Sequence, residues 1–249
     1  MKKKIISKNC FQKLNLTHAN KMIKDNFIIN DALKIFSKAD KKYRWLHQNT
    51  WMGEPILNIP PDILALQEII YKTKPDYIIE TGVAWGGSIL FLASMLKIFG
   101  GKKVIGVDTF IPRNVKKVVN KDKNLSKFIK LLKGDSTNTK IVSIIKKITK
   151  RSKKILIILD SYHTHEHVLK ELNIYSKFVK KNNYLICCDT ILEFIPIQKH
   201  RPREWGPGNN PYTALKEFLK RNKRFIIDKK ISNKLLFTNH PSGYLYAKY

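Results

Sequence analysis

Residues 78–88 read I-I-E-T-G-V-A-W-G-G-S and join an apolar run to a glycine-rich bend. A glycine-rich bend that directly follows a strand is typical of a nucleotide-binding loop. Apolar side chains recur at helical spacing from Gly86 to Lys97, so the bend is followed by a predicted helix. The stretch therefore predicts a strand, a ligand-binding loop and a helix in succession.

The loop lacks the residues that phosphate-binding loops require. A P-loop reads G-x-x-x-x-G-K-[ST], and no lysine stands at the required place after Gly86. The dinucleotide fingerprint G-x-G-x-x-G also fails, because Ala84 occupies the position of its second glycine. Glu80 would repel a pyrophosphate, but it suits a ligand with a positive centre or an ammonium group. S-Adenosylmethionine (SAM) has both and carries no phosphate.

Further strands and helices alternate along the chain. Apolar runs predict parallel strands near 77–80, 104–107, 128–132, 155–159 and 184–187. The intervening patterns predict helices near 63–73, 86–97, 139–148 and 166–180. This alternation predicts an α/β fold, in which helices cover both faces of a mostly parallel sheet.

The remaining segments complete the predicted order of elements. Pro60 and Pro61 signal a helix start with Asp62 as its cap, and residues 111–127 look like a basic loop. After a helix at 212–221, we expect strands near 224–228, 235–238 and 243–247, with an antiparallel pair at the edge of the sheet.

Acidic residues stand in or beside the end of every predicted parallel strand, and they are Glu80, Asp108, Asp135, Asp160 and Asp189. In open α/β sheets, ligands bind at the carboxyl ends of the strands. Asp108 is placed to accept hydrogen bonds from ribose hydroxyls, and Asp135 with Ser136 could reach the adenine amino group. Gly82 and Gly86 would let the backbone approach the ligand. The predicted SAM-binding residues are Glu80, Gly82, Gly86, Ser88, Asp108, Asp135 and Ser136.

Five motifs carry a resemblance to a known family: W-M-G-E-P-I-L-N-I-P-P-D (51–62), I-E-T-G-V-A-W-G-G-S (79–88), L-D-S-Y-H-T-H-E-H-V-L-K-E-L (159–172), D-T (189–190) and H-P-S-G-Y-L (240–245). Together they resemble the cephalosporin hydroxylase/rhamnosyl O-methyltransferase family, from about residue 50 to the end. The resemblance implies a Rossmann-like class I methyltransferase fold with a seven-stranded sheet. It also implies SAM-dependent O-methylation of a sugar, glycolipid or small-molecule hydroxyl in lipid or glycan biosynthesis, with Mg²⁺ as a second cofactor. It does not imply an iron oxygenase.

Asp160 and Asp189 are the predicted metal ligands, because Mg²⁺ needs oxygen ligands and one or two carboxylates suffice. The family usually has Glu-Asp where this chain has Cys188-Asp189. A thiolate is a poor Mg²⁺ ligand. The metal site could therefore be looser, favour a softer metal or be lost, which leaves a SAM-binding protein with impaired catalysis as an alternative.

His163, with Asp160, is the predicted catalytic residue. It lies three residues after Asp160, where related catechol-type O-methyltransferases have a lysine as general base, and its ordinary pKa near 6.5 suits that task. His165 and His167 follow in alternation. A helix that starts near residue 164 turns such residues about 200° apart, which argues against three metal ligands on one face. We interpret His167 as a packing or surface residue.

The regions that flank the strands predict two further features. Residues 200–211 read H-R-P-R-E-W-G-P-G-N-N-P and form either a substrate lid, in which Arg201 and Arg203 bind an anionic acceptor, or a solvated loop. Residues 1–50 predict a helical arm, and residues 51–249 the methyltransferase domain. The arm, with Ile23, Phe27, Ala32, Leu33 and Phe36 at loosely helical spacing, would cover a pocket, form a homo-oligomer or pack on the edge of the core.

The net charge of +29 admits two interpretations. It fits a nucleic-acid-binding protein, an RNA methyltransferase or peripheral contact with an anionic membrane. Nucleic-acid readers, however, rely on arginine and on stacked aromatics, whereas only seven of the 48 basic residues here are arginine. Lysine, isoleucine and asparagine are all encoded by A/T-rich codons, so we interpret the charge as compositional and do not expect a nucleic-acid partner.

The cysteines and the hydropathy pattern indicate the compartment. The chain has three cysteines, Cys10, Cys187 and Cys188. Because the number is odd and two of them are adjacent, no disulfide framework is predicted. No apolar run approaches the roughly 20 residues of a membrane span, and the basic start lacks the apolar stretch of a signal peptide. A cytoplasmic location is therefore expected.

Overall fold

The computed structural model describes residues 6–197 and 201–249. The helices are α1 (Lys8–Met22), α2 (Asn26–Tyr43), α3 (Pro60–Thr73), α4 (Gly87–Phe99), α5 (Arg113–Lys121), α6 (Lys123–Ser126), α7 (Thr139–Thr149), α8 (His165–Tyr175), α9 (Pro211–Arg221) and α10 (Lys229–Ser232). The strands are β1 (Thr50–Trp51), β2 (Glu54–Pro55), β3 (Tyr77–Thr81), β4 (Lys103–Asp108), β5 (Ile129–Lys133), β6 (Ile155–Leu159), β7 (Tyr184–Cys187), β8 (Phe225–Ile227) and β9 (Tyr244–Ala247).

Seven strands within the described ranges form one sheet, in the order β5-β4-β3-β6-β7-β9-β8. The first five are parallel, and β9 runs antiparallel to both β7 and β8. The strand order reverses between β3 and β6, and this switch point opens a crevice at the carboxyl ends of the strands. The predicted α/β fold, mostly parallel with an antiparallel edge, is confirmed.

Both faces of the sheet are covered by helices, as a parallel sheet requires. One apolar cluster joins α3, α4 and α5 to the first face, and a second joins α7, α8 and α9 to the other. All five residues of β6 are buried, so this strand reads as a continuous apolar run rather than an alternating one. The crevice is therefore built on a rigid, fully packed centre.

The predicted loop at 111–127 is wrong, because the structure has α5 and α6 there. Val115 and Val119 are one helical turn apart and both are buried, and Leu125 of α6 is buried as well. The many lysines of this segment face solvent and obscured its apolar stripe. Apolar positions at a spacing of four residues carried the helical signal.

Two predictions at the other end of the chain are also wrong. The strand expected at 235–238 is absent, since residues 233–243 follow α10 as turns and bends. Asp62 is not the cap of α3, because the helix begins at Pro60 and Asp62 lies in its first turn. Its fully buried carboxylate instead accepts hydrogen bonds from Thr238, Asn239 and Tyr244. A loop held by side chains in this way needs no strand partner.

The amino-terminal region is helical, as expected, but it buries little of its apolar surface. Of the apolar positions named above, only Phe36 is buried, where its ring lies 4.1 Å from that of Phe237. Phe27 is 77% exposed. Helix α2 thus packs on the edge of the core through one side chain. The division of the chain at residue 50 and a contact with a second subunit remain predictions.

None of the helices in the described ranges is both long enough and apolar enough to cross a membrane.

Candidate active site

A cavity of about 400 Å³ opens at the carboxyl ends of β3, β4, β5 and β6. Its floor includes six of the seven predicted SAM-binding residues, namely Glu80, Gly82, Ser88, Asp108, Asp135 and Ser136. The lining also includes Leu46, His47, Pro55, Ile56, Leu57, Arg201, Arg203 and Trp205. Asp160, His163 and Asp189 lie on the lining as well. The structure thus gathers the predicted cofactor, metal and base residues around one space.

Gly82 allows the loop after β3 to pass under the end of β6. Its φ is +89°, and a Cβ atom there would lie 2.0 Å from the carbonyl oxygen of Asp160. Gly86 has the same φ, but the space beside it is taken by Val115 of α5. Gly86 does not line the cavity, whereas Gly87 does. The glycines therefore allow close packing of protein against protein, more than the predicted approach of backbone to ligand.

Glu80 is buried at the base of the cavity. Ser88 donates a hydrogen bond to its Oε1, while Oε2 has no partner in the described structure. Burial raises the pKa of Glu80 to about 8, and the bond from Ser88 opposes that shift. Without a ligand this side chain is a neutral acid at neutral pH. A cationic ligand in the cavity would favour its ionised form.

Asp108 and Asp135 close the floor of the cavity. The Asp108 carboxylate accepts backbone hydrogen bonds from Val83 at 2.8 Å and Phe110 at 3.0 Å, which hold it against the glycine loop. Asp135 accepts bonds from the backbone and the hydroxyl of Thr137. Each carboxylate oxygen offers more than one acceptor site, so both groups can still bind a ligand hydroxyl or amine.

Asp160, His163 and Asp189 form the chemical centre of the cavity. His163 Nε2 lies 3.4 Å from Asp189 Oδ2 and 4.0 Å from Asp160 Oδ1. Burial raises the pKa of Asp160 well above its usual value, and the negative charges of Asp189 and Glu80 add to that effect. Two carboxylates that share a partly enclosed space are stabilised by a shared proton or by a cation between them.

These residues fit a divalent cation. One ligand atom from each of Asp160, His163 and Asp189 lies within 4.8 Å of the other two, so an ion held by the two carboxylates would lie next to His163. Carboxylate oxygens suit Mg²⁺, which keeps several waters and needs few protein ligands. Both carboxylates are partly exposed to the cavity, at 38% and 28%, which leaves room for such waters. The residues present therefore match the predicted Mg²⁺.

Cys188 does not face this centre. Its side chain is buried in the apolar cluster with Ile158 and Ile186, on the face of the sheet that α4 covers. Burial raises the pKa of the Cys188 thiol well above its usual value, so it stays neutral. Cys188 therefore contributes no ligand atom, and the cluster of Asp160, His163 and Asp189 forms without it.

The three histidines of the 159–172 motif point to different places. His163 faces Asp160 and Asp189, whereas His165 contacts Thr213 and Glu217 of α9. His167 lies within hydrogen-bond distance of Ser136 and Ser161, at 3.2 and 3.1 Å. The helical geometry thus separates them as expected. His167 packs against these serines and also lines the cavity. The interpretation of His167 as a packing or surface residue did not predict its place on the cavity lining.

One group of supporting residues was missed at the sequence level. His240 Nδ1 accepts a hydrogen bond from the backbone N–H of Asp189 at 3.0 Å, and its Nε2 faces Asp62 Oδ2 at 3.9 Å. Asp189 has φ +52°, a left-handed conformation that non-glycine residues adopt at a cost. His240 and Asp62 therefore help to fix the backbone that presents the Asp189 carboxylate. Both lie in motifs quoted above, but their roles needed the folded geometry.

The segment predicted as a lid lies over the cavity, although His200 at its start is outside the described residues. Trp205 stands edge-on to the rings of His163 and Tyr162, with centroids 5.1 and 5.3 Å apart. The Tyr162 hydroxyl donates a hydrogen bond to Glu204. Arg201 contacts His47 of the turn after α2, with 3.4 Å between the nitrogens. Residues of the loop and of the arm thus line the cavity together.

Comparisons with known proteins identify the family. The profile of the rhamnosyl O-methyltransferase/CmcI family matches residues 43–248. A rhamnosyl O-methyltransferase of Mycobacterium leprae is 30% identical over 193 residues, which cover 73% of this chain and 78% of the relative. One from Mycobacterium bovis BCG is 27% identical over 219 residues, covering 83% and 84%.

Solved structures agree on the fold. A CmcI structure described as its Mg-SAM form has a TM-score of 0.55 at 19% identity and covers 82% of this chain and 78% of its own. An apo structure of CmcI has a TM-score of 0.56 at 18% identity, covering 82% and 77%. The solved structures confirm the predicted fold, and the family profile and the mycobacterial relatives confirm the predicted class, an O-methyltransferase. The chain therefore belongs to the rhamnosyl O-methyltransferase/CmcI family.

Proposed function

We propose that this chain transfers the methyl group of SAM to a hydroxyl of a sugar, glycolipid or small natural product, with help from Mg²⁺. One observation carries the proposal: Asp160, His163 and Asp189 meet on the wall of the cavity into which the glycine loop opens. The relatives named rhamnosyl O-methyltransferase support a sugar hydroxyl, and the Mg-SAM form of CmcI supports the two cofactors.

The glycine-loop side of the cavity suits SAM. Asp108 would accept hydrogen bonds from the ribose hydroxyls, and Asp135 with Ser136 would contact the adenine. Glu80 would ionise when the positively charged ligand enters, because a nearby cation favours the carboxylate form. These contacts would aim the methyl group across the cavity at Asp160 and His163.

Methyl transfer from a sulfonium is an in-line displacement. The acceptor oxygen must lie about 3–3.5 Å from the methyl carbon. The new O–C bond forms as the S–C bond breaks, so the sulfonium becomes a neutral thioether and the hydroxyl loses its proton. Asp160 and Asp189 would hold Mg²⁺, which supplies Lewis-acid polarisation of the acceptor hydroxyl when bound.

His163 would take the proton at Nε2. Burial lowers its pKa below the ordinary value, although Asp189 opposes that shift. The imidazole is therefore neutral at physiological pH and can act as a base. The ring of Trp205 packs against His163 and would shield that side of the imidazole from water. Placement of base, carboxylates and methyl donor in one cavity is what the reaction requires.

Calorimetry with SAM, followed by turnover of methyl α-L-rhamnoside, tests the proposal. We expect wild-type protein to bind SAM and Asp108→Ala to bind it at least about tenfold more weakly, since two charge-assisted hydrogen bonds are lost. Asp31→Ala, on the exposed part of α2, is the matched control and should bind normally. Absence of SAM binding by the wild type would sink the proposal, and full activity in EDTA would reject Mg²⁺.

The alternative of a SAM-binding protein with impaired catalysis has its own test. In Cys188→Glu, a carboxylate would replace the buried thiol next to Asp189. If the wild type methylates the acceptor and the variant is less stable, the natural chain is an active enzyme that is stabilised by the buried Cys188 thiol. If turnover occurs only in Cys188→Glu, the natural chain is the impaired form.

A further inference from the structure

Charges of both signs line the cavity. The acidic side chains are Glu80, Asp108, Asp135, Asp160 and Asp189, and the arginines are Arg201 and Arg203. The carboxylates match a cationic cofactor and a divalent metal. The two arginines belong to one short segment, and neither is used by the proposed cofactor or metal.

Arginine is rare in this chain, which makes its position informative. Only seven of the 48 basic residues are arginine, yet two of them line this cavity. A third, Arg44 in the turn after α2, is close enough to lower the pKa of Arg201 by repulsion. A compositional bias toward lysine does not explain this cluster. Arginine differs from lysine in offering a planar fork that binds carboxylate or phosphate through two parallel hydrogen bonds.

Neither cavity arginine forms a direct salt bridge. Every Asp and Glu of the chain lies within the described ranges, and none comes within 4.0 Å of a guanidinium nitrogen of Arg201 or Arg203. Both arginines are exposed. Partial burial and the charge of Arg203 lower the pKa of Arg201, whereas Asp40 and Asp189 oppose that shift from beyond salt-bridge distance. Two like charges held together without a direct ion pair favour the binding of an anion.

The arginines also lie beside the reacting groups. The guanidinium of Arg203 stands 5.4 Å from the centre of the Trp205 ring, and that ring packs edge-on against His163. The charge of Arg203 lowers the pKa of His163, and the charge of Asp189 raises the pKa of Arg201. An anion bound by these arginines would therefore be close to the hydroxyl that His163 deprotonates.

We propose that the methyl acceptor carries an anionic group, a carboxylate or a phosphate, which Arg201 and Arg203 bind next to the methylated hydroxyl. This inference rests on the proposed function and narrows its substrate class to acidic sugars or sugar phosphates. Trp205, which contacts both Arg203 and His163, offers an aromatic surface on which the sugar ring packs. Neutral sugars fill the same space but leave both guanidinium groups without a partner.

Binding to the protein loaded with S-adenosylhomocysteine tests the inference without turnover. The probes are methyl β-D-glucuronide for a carboxylate, glucose 6-phosphate for a phosphate and methyl α-L-rhamnoside for a neutral sugar. We expect at least one acidic probe to bind about tenfold or more tightly than the neutral one, since each charge-assisted pair is worth that much. The acidic probe that binds more tightly identifies the anionic group of the acceptor.

Arg201→Gln and Arg203→Gln should each abolish the preference for the acidic probe. Arg201→Lys and Arg203→Lys keep the charge but lose the planar fork, so they should retain part of the preference. Arg151→Gln, an exposed arginine in the turn before β6, is the matched control and should bind like the wild type. Retained binding of S-adenosylhomocysteine in every variant shows that the fold and the proposed cofactor site are intact.

The outcomes separate the two proposals. Equal affinity for acidic and neutral probes, a preference that survives the Arg201→Gln/Arg203→Gln double variant, or no binding of any acidic probe would overturn the anionic acceptor. In each case, intact cofactor binding and turnover of a neutral sugar would leave the proposed function standing. Loss of S-adenosylhomocysteine binding in the wild type itself would instead count against the proposed function.

Discussion

The two halves of the cavity are built in different ways. The donor half, defined as residues 80–88 with Asp108, Asp135 and Ser136, consists of strand ends that a parallel sheet brings together automatically. The acceptor half, defined as residues 46–57, His163 and residues 201–205, comes from segments far apart in the chain. The donor half is thus tied to the fold, whereas the acceptor half depends on loops that can change without disturbing the sheet.

Gly82→Ala should have the largest effect, because the loop of the donor half touches the backbone of Asp160. A Cβ atom 2.0 Å from a carbonyl oxygen cannot be accommodated without moving β3 or β6. We expect a loss of about 4 kcal/mol or more in the free energy of unfolding, measured by urea denaturation. Gly100→Ala has a similar φ of +80°, with ψ 140°, but open space around it, so only the strained backbone should cost stability, about 1–3 kcal/mol.

If Gly82→Ala unfolds no more easily than Gly100→Ala, the close contact between the glycine loop and the Asp160 backbone does not limit the stability of the fold.

Asp160→Asn should lower activity without weakening SAM binding, and this contrast distinguishes the acceptor half from the donor half. The variant keeps its shape but loses the charge that would help to hold the cation, so kcat should fall by about 10²–10³. SAM affinity should stay within about twofold, and Mn²⁺ binding, followed by electron paramagnetic resonance, should weaken. Asp31→Asn on α2 serves as the control. Equal loss of SAM binding and activity would mean that Asp160 belongs to the donor half.

Asp62→Asn tests how far the support of Asp189 extends through His240. The Asp62 carboxylate accepts three hydrogen bonds from residues 238–244, and an amide cannot accept all of them with the same geometry. We expect the free energy of unfolding to fall by about 2–3 kcal/mol. If His240 transmits the change to Asp189, kcat should also fall while SAM affinity holds. Tyr244→Phe removes one of the bonds and is the milder comparison.

Glu80→Gln should have the smallest effect, confined to the donor half. The folded-state pKa of about 8 lies above the ordinary 4.5, so the protonated form stabilises the fold. That contribution is fully present below pH 4.5 and is lost as pH rises toward 8. Without ligand, wild-type stability should drop between pH 6 and 8 by on the order of 2 kcal/mol relative to the variant.

The same burial predicts that SAM binds the wild type more tightly at pH 8 than at pH 6, since Glu80 must ionise. Calorimetry of Glu80→Gln should lack this pH dependence. A pH-independent SAM affinity in the wild type would show that Glu80 does not ionise when SAM binds.

The features that sequence reasoning predicted well depend on short-range patterns. The five parallel strands and the acidic residues at their ends follow from apolar runs and spacing, and the structure brings all five carboxylates to one edge. Where apolar positions were sparse among lysines, as at Val115 and Val119, the helix was missed. The strand predicted at 235–238 failed because Asp62, far away in the chain, provides the loop with hydrogen bonds that a strand partner would otherwise supply.

The sequence by itself determined the α/β fold, the glycine loop and the set of strand-end carboxylates, because each depends on the local period of apolar residues and on turn chemistry. Only the tertiary structure decided that Cys188 faces the core, that His240 supports Asp189 and that Arg201, Arg203 and Trp205 enclose the cavity. These relations join residues tens to hundreds of positions apart, and side-chain packing rather than local propensity fixes them.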